Sequence, residues 1–153
     1  MKRITALILV IAWLFCLASC AGTLGEQGDV SIVIENRDGS YTVYKVYLEE
    51  VTNRDEGVYG VLQHFMEREN NPLTADIVDS TYGAYVNAIG SLTPDTSKNE
   101  YVSLYTSLEK DFGTGDYVSE LEYEGITLKT SGVGFTSMSA EVGTIILCRI
   151  ESY

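Results

Sequence analysis

Few side chains in this sequence are equipped for chemistry, and their spacing excludes most of it. There is one histidine, His64, and there are three cysteines, Cys16, Cys20 and Cys148. A His-Glu-x-x-His zinc pair needs two histidines on one helical face, so it is excluded. His64 and Cys148 lie far apart in the chain and form no recognisable nucleophile–base set. Cys148 falls in the apolar, strand-like run Thr144–Ile150, where a thiol packs as a small hydrophobe. Gly132-Val133-Gly134 has the glycines of a phosphate cradle, yet no Lys-Ser/Thr follows and no helical pattern opens there, so a turn between strands is expected. Acids number 22, and Asp111 with Asp116, or Asp76 with Asp79, could meet in a loop. No spacing among them matches a calcium loop. A glycosidase would need two facing carboxylates in a cleft that usually belongs to a larger domain. The expectation is binding rather than catalysis, with no catalytic residue and no catalytic cofactor.

The aromatic residues are the remaining clue. Eleven tyrosines stand against one tryptophan, and a tyrosine offers a flat apolar face with a polar tip, suited to stacking on sugars or a planar macrocycle. Tyr82 and Tyr85 flank a glycine, and Tyr117 follows the glycine-rich loop 111–116. These three are the candidate ligand-binding residues. The other tyrosines are expected to pack on strands, which they favour. Metal ligands stay unassigned.

The start of the chain addresses location. Lys2 and Arg3 precede residues 4–18, of which only Thr5 is polar, and small residues follow, the pattern of a secretory signal. The run is short of the roughly 20 apolar residues of a membrane span. Leu17-Ala18-Ser19-Cys20 resembles the lipobox of bacterial lipoproteins, in which cleavage falls before a cysteine that carries diacylglycerol. That resemblance implies a lipidation site at Cys20 and a chain held on the extracytoplasmic face of a bacterial membrane, since each buried CH₂ contributes about 0.8 kcal/mol. Three segments are expected: a signal peptide at 1–19, the lipidated cysteine with a flexible small and polar tether at 20–29, and one binding domain at 30–153. Removal of residues 1–19 leaves 134 residues, enough for a single core. The ten basic residues fall to eight against 22 acidic, a net charge of −14. Such a field repels phosphate backbones and excludes nucleic acid as a partner. With Cys16 removed and Cys20 blocked, Cys148 has no disulfide partner.

The elements that would position these residues can be read in order. Val30–Glu35 and Tyr41–Glu49 are strands around the Asp38-Gly39 turn signal. Val58, Val61, Leu62, Phe65 and Met66 recur at helical spacing, with Asp55 and Glu56 at the start and Asn70-Asn71-Pro72 as the stop. His64 flanks that stripe and is expected there as an ordinary flank residue. Strand-like segments follow at 75–78, 83–90, 101–108, 121–124, 126–129 and 143–150, separated by polar or glycine-rich turns. One helix after a hairpin, then several strands, predicts an α+β domain with a mixed sheet covered on one face.

The order of these features is familiar. The hairpin, the helix at Gly57-Val58-Tyr59-Gly60-Val61-Leu62, the segment Tyr82–Gly90, the strand Tyr101–Leu108 and the closing Gly132-Val133-Gly134-Phe135 and Glu141–Ile146 resemble a family of bacterial surface domains. That family is similar to the C-terminal β-domain of transcobalamin and intrinsic factor, and the likeness covers about residues 30–151. It implies a β-grasp-like fold and a non-enzymatic domain that captures a cobalamin-like or metal-containing ligand for uptake, with a transporter as partner. The family often shows Ile-Asn-Gly and a Trp-containing strand. Here those places hold Ala88-Ile89-Gly90 and Tyr101-Val102-Ser103, so its ligand contacts do not carry over. The alternative is a surface adhesion module that binds protein or glycan through a tyrosine-rich face.

Overall fold

The computed structural model describes residues 27–79 and 84–153. Strand β1 (Val30–Glu35) is apolar at four of its six positions and is buried along both faces, which places it in the middle of a sheet. It pairs antiparallel with β2 (Tyr41–Val46), from Val30↔Val46 to Glu35↔Tyr41. Their turn is closed by Asn36 N donating to Ser40 O at 2.8 Å. Asp38 accepts from Ser40 N at 3.0 Å, and Gly39 takes a φ of 81° that favours glycine. After the connection 47–57 the chain enters helix α1 (Val58–Met66), whose Val58, Val61, Leu62 and Phe65 are fully buried. Gly57 admits no side chain at this entry, because a Cβ would stand 2.2 Å from Met138 O.

Two short strands, β3 (Ala75–Val78) and β4 (Tyr85–Ile89), form an antiparallel pair of their own. The main sheet then gains β5 (Glu100–Thr106), the hairpin β6 (Glu120–Tyr123) and β7 (Ile126–Thr130), and finally β8 (Ile145–Ser152). Its order is β2-β1-β8-β5-β7-β6. The first and last strands lie parallel at the centre, from Ser31↔Ile145 to Ile34↔Cys148, and every other pair is antiparallel. This is the α+β, β-grasp-like arrangement expected from the sequence, with a hairpin, one main helix and a mixed sheet. The last strand begins at Ile145 rather than at Gly143, because Gly143 (φ 91°) and the bond from Thr144 N to Glu141 O make a turn there.

The sheet is covered on both faces, which corrects the expectation of one covered face. Val30, Ile32 and Ile34 of β1 and Ile146 and Cys148 of β8 face α1 in the larger core. Their alternates Val33, Ile145 and Leu147 join Tyr105, Tyr123 and Leu128 in a second buried cluster. The β6–β7 hairpin supplies Tyr123 and Leu128. It curls over the outer face until Tyr123 meets Tyr41 of the opposite edge strand, with ring centroids 5.1 Å apart and planes at 71°. Strand twist makes such curling natural, and it brings the two edges of the sheet together. Among the described residues no helix is long and apolar enough to cross a membrane. The signal segment, Cys20 and Tyr82 lie outside the described residues.

Candidate functional site

The outward row of β5 runs Tyr101, Ser103, Tyr105. Tyr105 lies beneath the hairpin and is buried, whereas Tyr101 is 40% exposed. Beside the uncovered end of this row opens a cleft of about 440 Å³, lined by Tyr101, Ser103, Phe112, Tyr117, Thr130 and Ser131 among others. That volume lies in the ordinary range of small-ligand sites. The cleft floor is backbone. Gly113 N donates to Thr130 O at 2.8 Å and Gly132 N to Asp111 O at 2.9 Å, so the loop after β5 runs against the end of β7. A Cβ on Gly132 would come 2.8 Å from Gly113 Cα and 2.9 Å from Phe112 O. Glycine is required there by close approach, and Gly132-Val133-Gly134 is a turn, as expected, followed only by the three-residue 3-10 turn Phe135–Ser137.

Behind the cleft stands Glu151 of β8. Tyr105 Oη donates to its Oε1 at 2.6 Å and Tyr101 Oη to its Oε2 at 3.3 Å. Burial raises the Tyr105 phenol to about 12, with the Glu151 hydrogen bond and charge adding to it. Tyr101 is raised by burial and then by the Glu151 charge. On the far side of Glu151 lies a second cleft, of about 360 Å³ and mainly polar, with Glu35, Arg37, Glu100 and Arg149 in its wall. Arg37 and Glu100 form a two-pronged pair, Nη2 to Oε2 at 2.5 Å and Nη1 to Oε1 at 3.2 Å. The Arg37 bond, aided by Asp95 N at 2.8 Å, lowers Glu100 to about 2. Arg149 is held more loosely, 3.6 Å from Glu35 and 3.8 Å from Glu151.

The structure separates the tyrosines that the sequence grouped. Tyr117 is 97% exposed and lines the first cleft. Tyr85 is 51% exposed but lies on β4, in the two-stranded sheet, and does not line that cleft. Tyr101 and Phe112 are site residues that sequence reasoning missed. The signal for Tyr101 was present in the alternation of 101–108, yet alternation alone does not say which end the hairpin covers, and Phe112 lies in the loop beyond it.

The other chemical candidates resolve into structural roles. Asp111 is buried and accepts from Ser139 N at 2.7 Å, while Asp116 is exposed. Asp76 accepts from Asn87 Nδ2 at 2.6 Å across β3–β4. Cys148 is fully buried, and burial pushes its thiol up to about 12, far from nucleophilic. His64 is half-buried with its ring edge-on to Phe65, centroids 5.9 Å apart. Among the described residues no group of three His, Cys, Asp or Glu side chains could hold a metal ion.

No protein-family model matches this chain, and no curated protein matches it. The transcobalamin resemblance therefore gains no support from either comparison. Among solved structures the chain is similar to a "putative metal binding protein" from Ruminococcus gnavus, at 12% identity and a TM-score of 0.54. The match covers 83% of this chain and 99% of that one. At this identity the likeness shows a shared fold and nothing finer.

Proposed function

We propose that this chain is a non-catalytic ligand-binding module, held by lipid on Cys20 at the extracytoplasmic face of a bacterial membrane, that captures its ligand for uptake through a transporter. The observation that carries this reading is the cleft of Tyr101, Phe112 and Tyr117, where aromatic faces stand over a backbone floor beside the hydroxyls of Ser103, Thr130 and Ser131. Aromatic walls with a few fixed polar groups are the usual make-up of a small-molecule site.

The Ruminococcus gnavus protein of similar fold is described as metal binding, and the resemblance drawn from the sequence points to cobalamin-like ligands. The described residues offer no cage for a bare ion, so they favour a metal-containing or planar organic ligand gripped by its face. Equilibrium dialysis of the mature fragment against cyanocobalamin, and separately against zinc and cobalt ions, tests the reading. Micromolar corrinoid binding, weakened about tenfold by Tyr117→Ala and unchanged by Tyr85→Ala, is the expected outcome. Absence of corrinoid binding together with absence of metal binding would count heavily against it. Intact mass of the membrane-extracted protein tests the anchor, which requires acyl mass on Cys20.

A second reading rests on a different observation. Six tyrosines, Tyr41, Tyr47, Tyr85, Tyr101, Tyr117 and Tyr153, are exposed among the described residues, and they are spread over the surface rather than gathered at one cleft. An adhesion module for protein or glycan would use such rings. Glycan-array binding that survives Tyr117→Ala but falls with Tyr85→Ala would favour it.

A further inference from the structure

The chemistry around the aromatic cleft narrows the class of ligand, an inference that rests on reading the cleft as a ligand site. Tyr101 donates its hydroxyl proton to Glu151 at 3.3 Å, which leaves its oxygen to the cleft as an acceptor only. Ser131 Oγ donates to Val133 O at 2.9 Å and accepts from Val133 N at 3.2 Å, so its proton is also engaged within the wall. Thr130 Oγ1 accepts from Ser119 N at 3.0 Å.

The charges nearby are of both signs, but their balance is negative. Glu35 and Glu151 share one guanidinium, Arg149, at 3.6 and 3.8 Å. Lys129 is neutralised by Glu120 at 2.5 Å and lies 5.5 Å from the centre of the Phe112 ring. Asp116 is exposed beside Tyr117. The aromatic walls therefore sit in a negative local field, within a mature chain of net charge −14. Aromatic faces attract cations through their quadrupole, and a phenol that donates to a carboxylate holds more electron density in its ring. We propose that this cleft takes an ammonium-bearing ligand, its cationic group set against Tyr101 and Tyr117 with Glu151 behind as the counter-charge.

Three probes of one shape and three charges test this. Choline, 3,3-dimethylbutan-1-ol and 3,3-dimethylbutyrate are titrated at matched ionic strength into the full chain in mild detergent, with ring-¹³C tyrosine reporting the Tyr101 and Tyr117 resonances. Choline is expected to half-saturate those shifts at a concentration about tenfold below the alcohol, with the acid weakest. Glu151→Gln should bring choline close to the alcohol and leave the alcohol unchanged. Should that variant not fold, Tyr101→Phe at a more exposed position gives the same comparison, with the advantage of choline reduced. Equal affinities, or an acid that binds best, would overturn the charge inference while leaving the cleft as a ligand site. No shift of either ring with any of the three would overturn the inference and the cleft reading together.

Discussion

The two faces of the central sheet are built to different depths. On the helix side eighteen buried side chains, from β1, β2, β4, α1, β8 and the connections at Val51, Leu73, Leu92, Phe135 and Met138, form one cluster among the described residues. On the outer side six do, under a hairpin that joins β5 through only two register pairs, Tyr105↔Thr130 and Thr106↔Lys129. The short hairpin covers Tyr105 and stops before Tyr101, and the uncovered half of the same row becomes the cleft wall. Stability is thus concentrated on one face, which leaves the other free to end in an open cleft. A site placed on strands rather than on loops alone also gains a rigid back wall.

That contrast is most directly broken in the cores. Phe65 is fully buried against Tyr44, centroids 5.6 Å apart, so Phe65→Ala should cost about 3–5 kcal/mol in denaturant unfolding. Leu128→Ala, equally buried in the smaller cluster, should cost about 2 kcal/mol, the low end for such a truncation, because the hairpin above it can settle. Equal costs would mean that the outer face is a full second core and the asymmetry is false. Next in size is Gly132→Ala, whose Cβ would press on the Gly113 and Phe112 backbone. A loss of about 1–3 kcal/mol is expected, with the Tyr117 ring resonance displaced.

The two faces respond alike to alkali. Tyr105, on the outer side, and Cys148, on the helix side, both hold their protons to about 12, above their ordinary values of 10 and 9. The unfolded chain releases those protons first, so their contribution is complete below about pH 9 and is lost as pH rises towards 12. Tyr105→Phe should remove the part of that decline between 10 and 12, measured as unfolding free energy against pH. Acid has the opposite sign at the charged cleft. Glu100 is lowered to about 2, so its pairing with Arg37 persists as pH falls and is lost only near that value. A carboxyl titration of Glu100 followed by NMR that centred near 4 would refute the pairing.

Local pattern revealed the parts of this fold that are decided locally. The stripe Val58, Val61, Leu62, Phe65 gave the helix, Asp38-Gly39 gave the first hairpin, and the strand-like runs 121–124 and 126–129 gave the two strands of the second. The parallel pairing of β1 with β8 is a long-range choice that no window of sequence contains, and the order of elements predicted only a mixed sheet. The closure of the outer face was illegible for a sharper reason. Tyr41 and Tyr123 occupy similar strand contexts, yet one is 47% exposed and the other buried, because hairpin length and sheet curvature decide which ring is covered. At the candidate site Tyr117 was legible, since a tyrosine after a glycine-rich loop has no strand to pack on. Tyr101 and Phe112 were not, because a half-buried strand and a loop aromatic read as core.

The smallest expected effect is the most informative about function. Tyr117 is 97% exposed, so Tyr117→Ala removes almost no surface that folding had buried and should change stability by less than about 0.5 kcal/mol. A ring kept in water by the fold stabilises the chain little, and its contribution can appear only when something else covers it. Thermal unfolding of the variant with and without a saturating ligand separates the two cases. Equal stability alone, with the ligand-induced rise in Tm lost, places Tyr117 on the binding face. A variant destabilised by 2 kcal/mol or more would instead make Tyr117 part of the outer cluster, and the division of labour between the two faces would have to be redrawn.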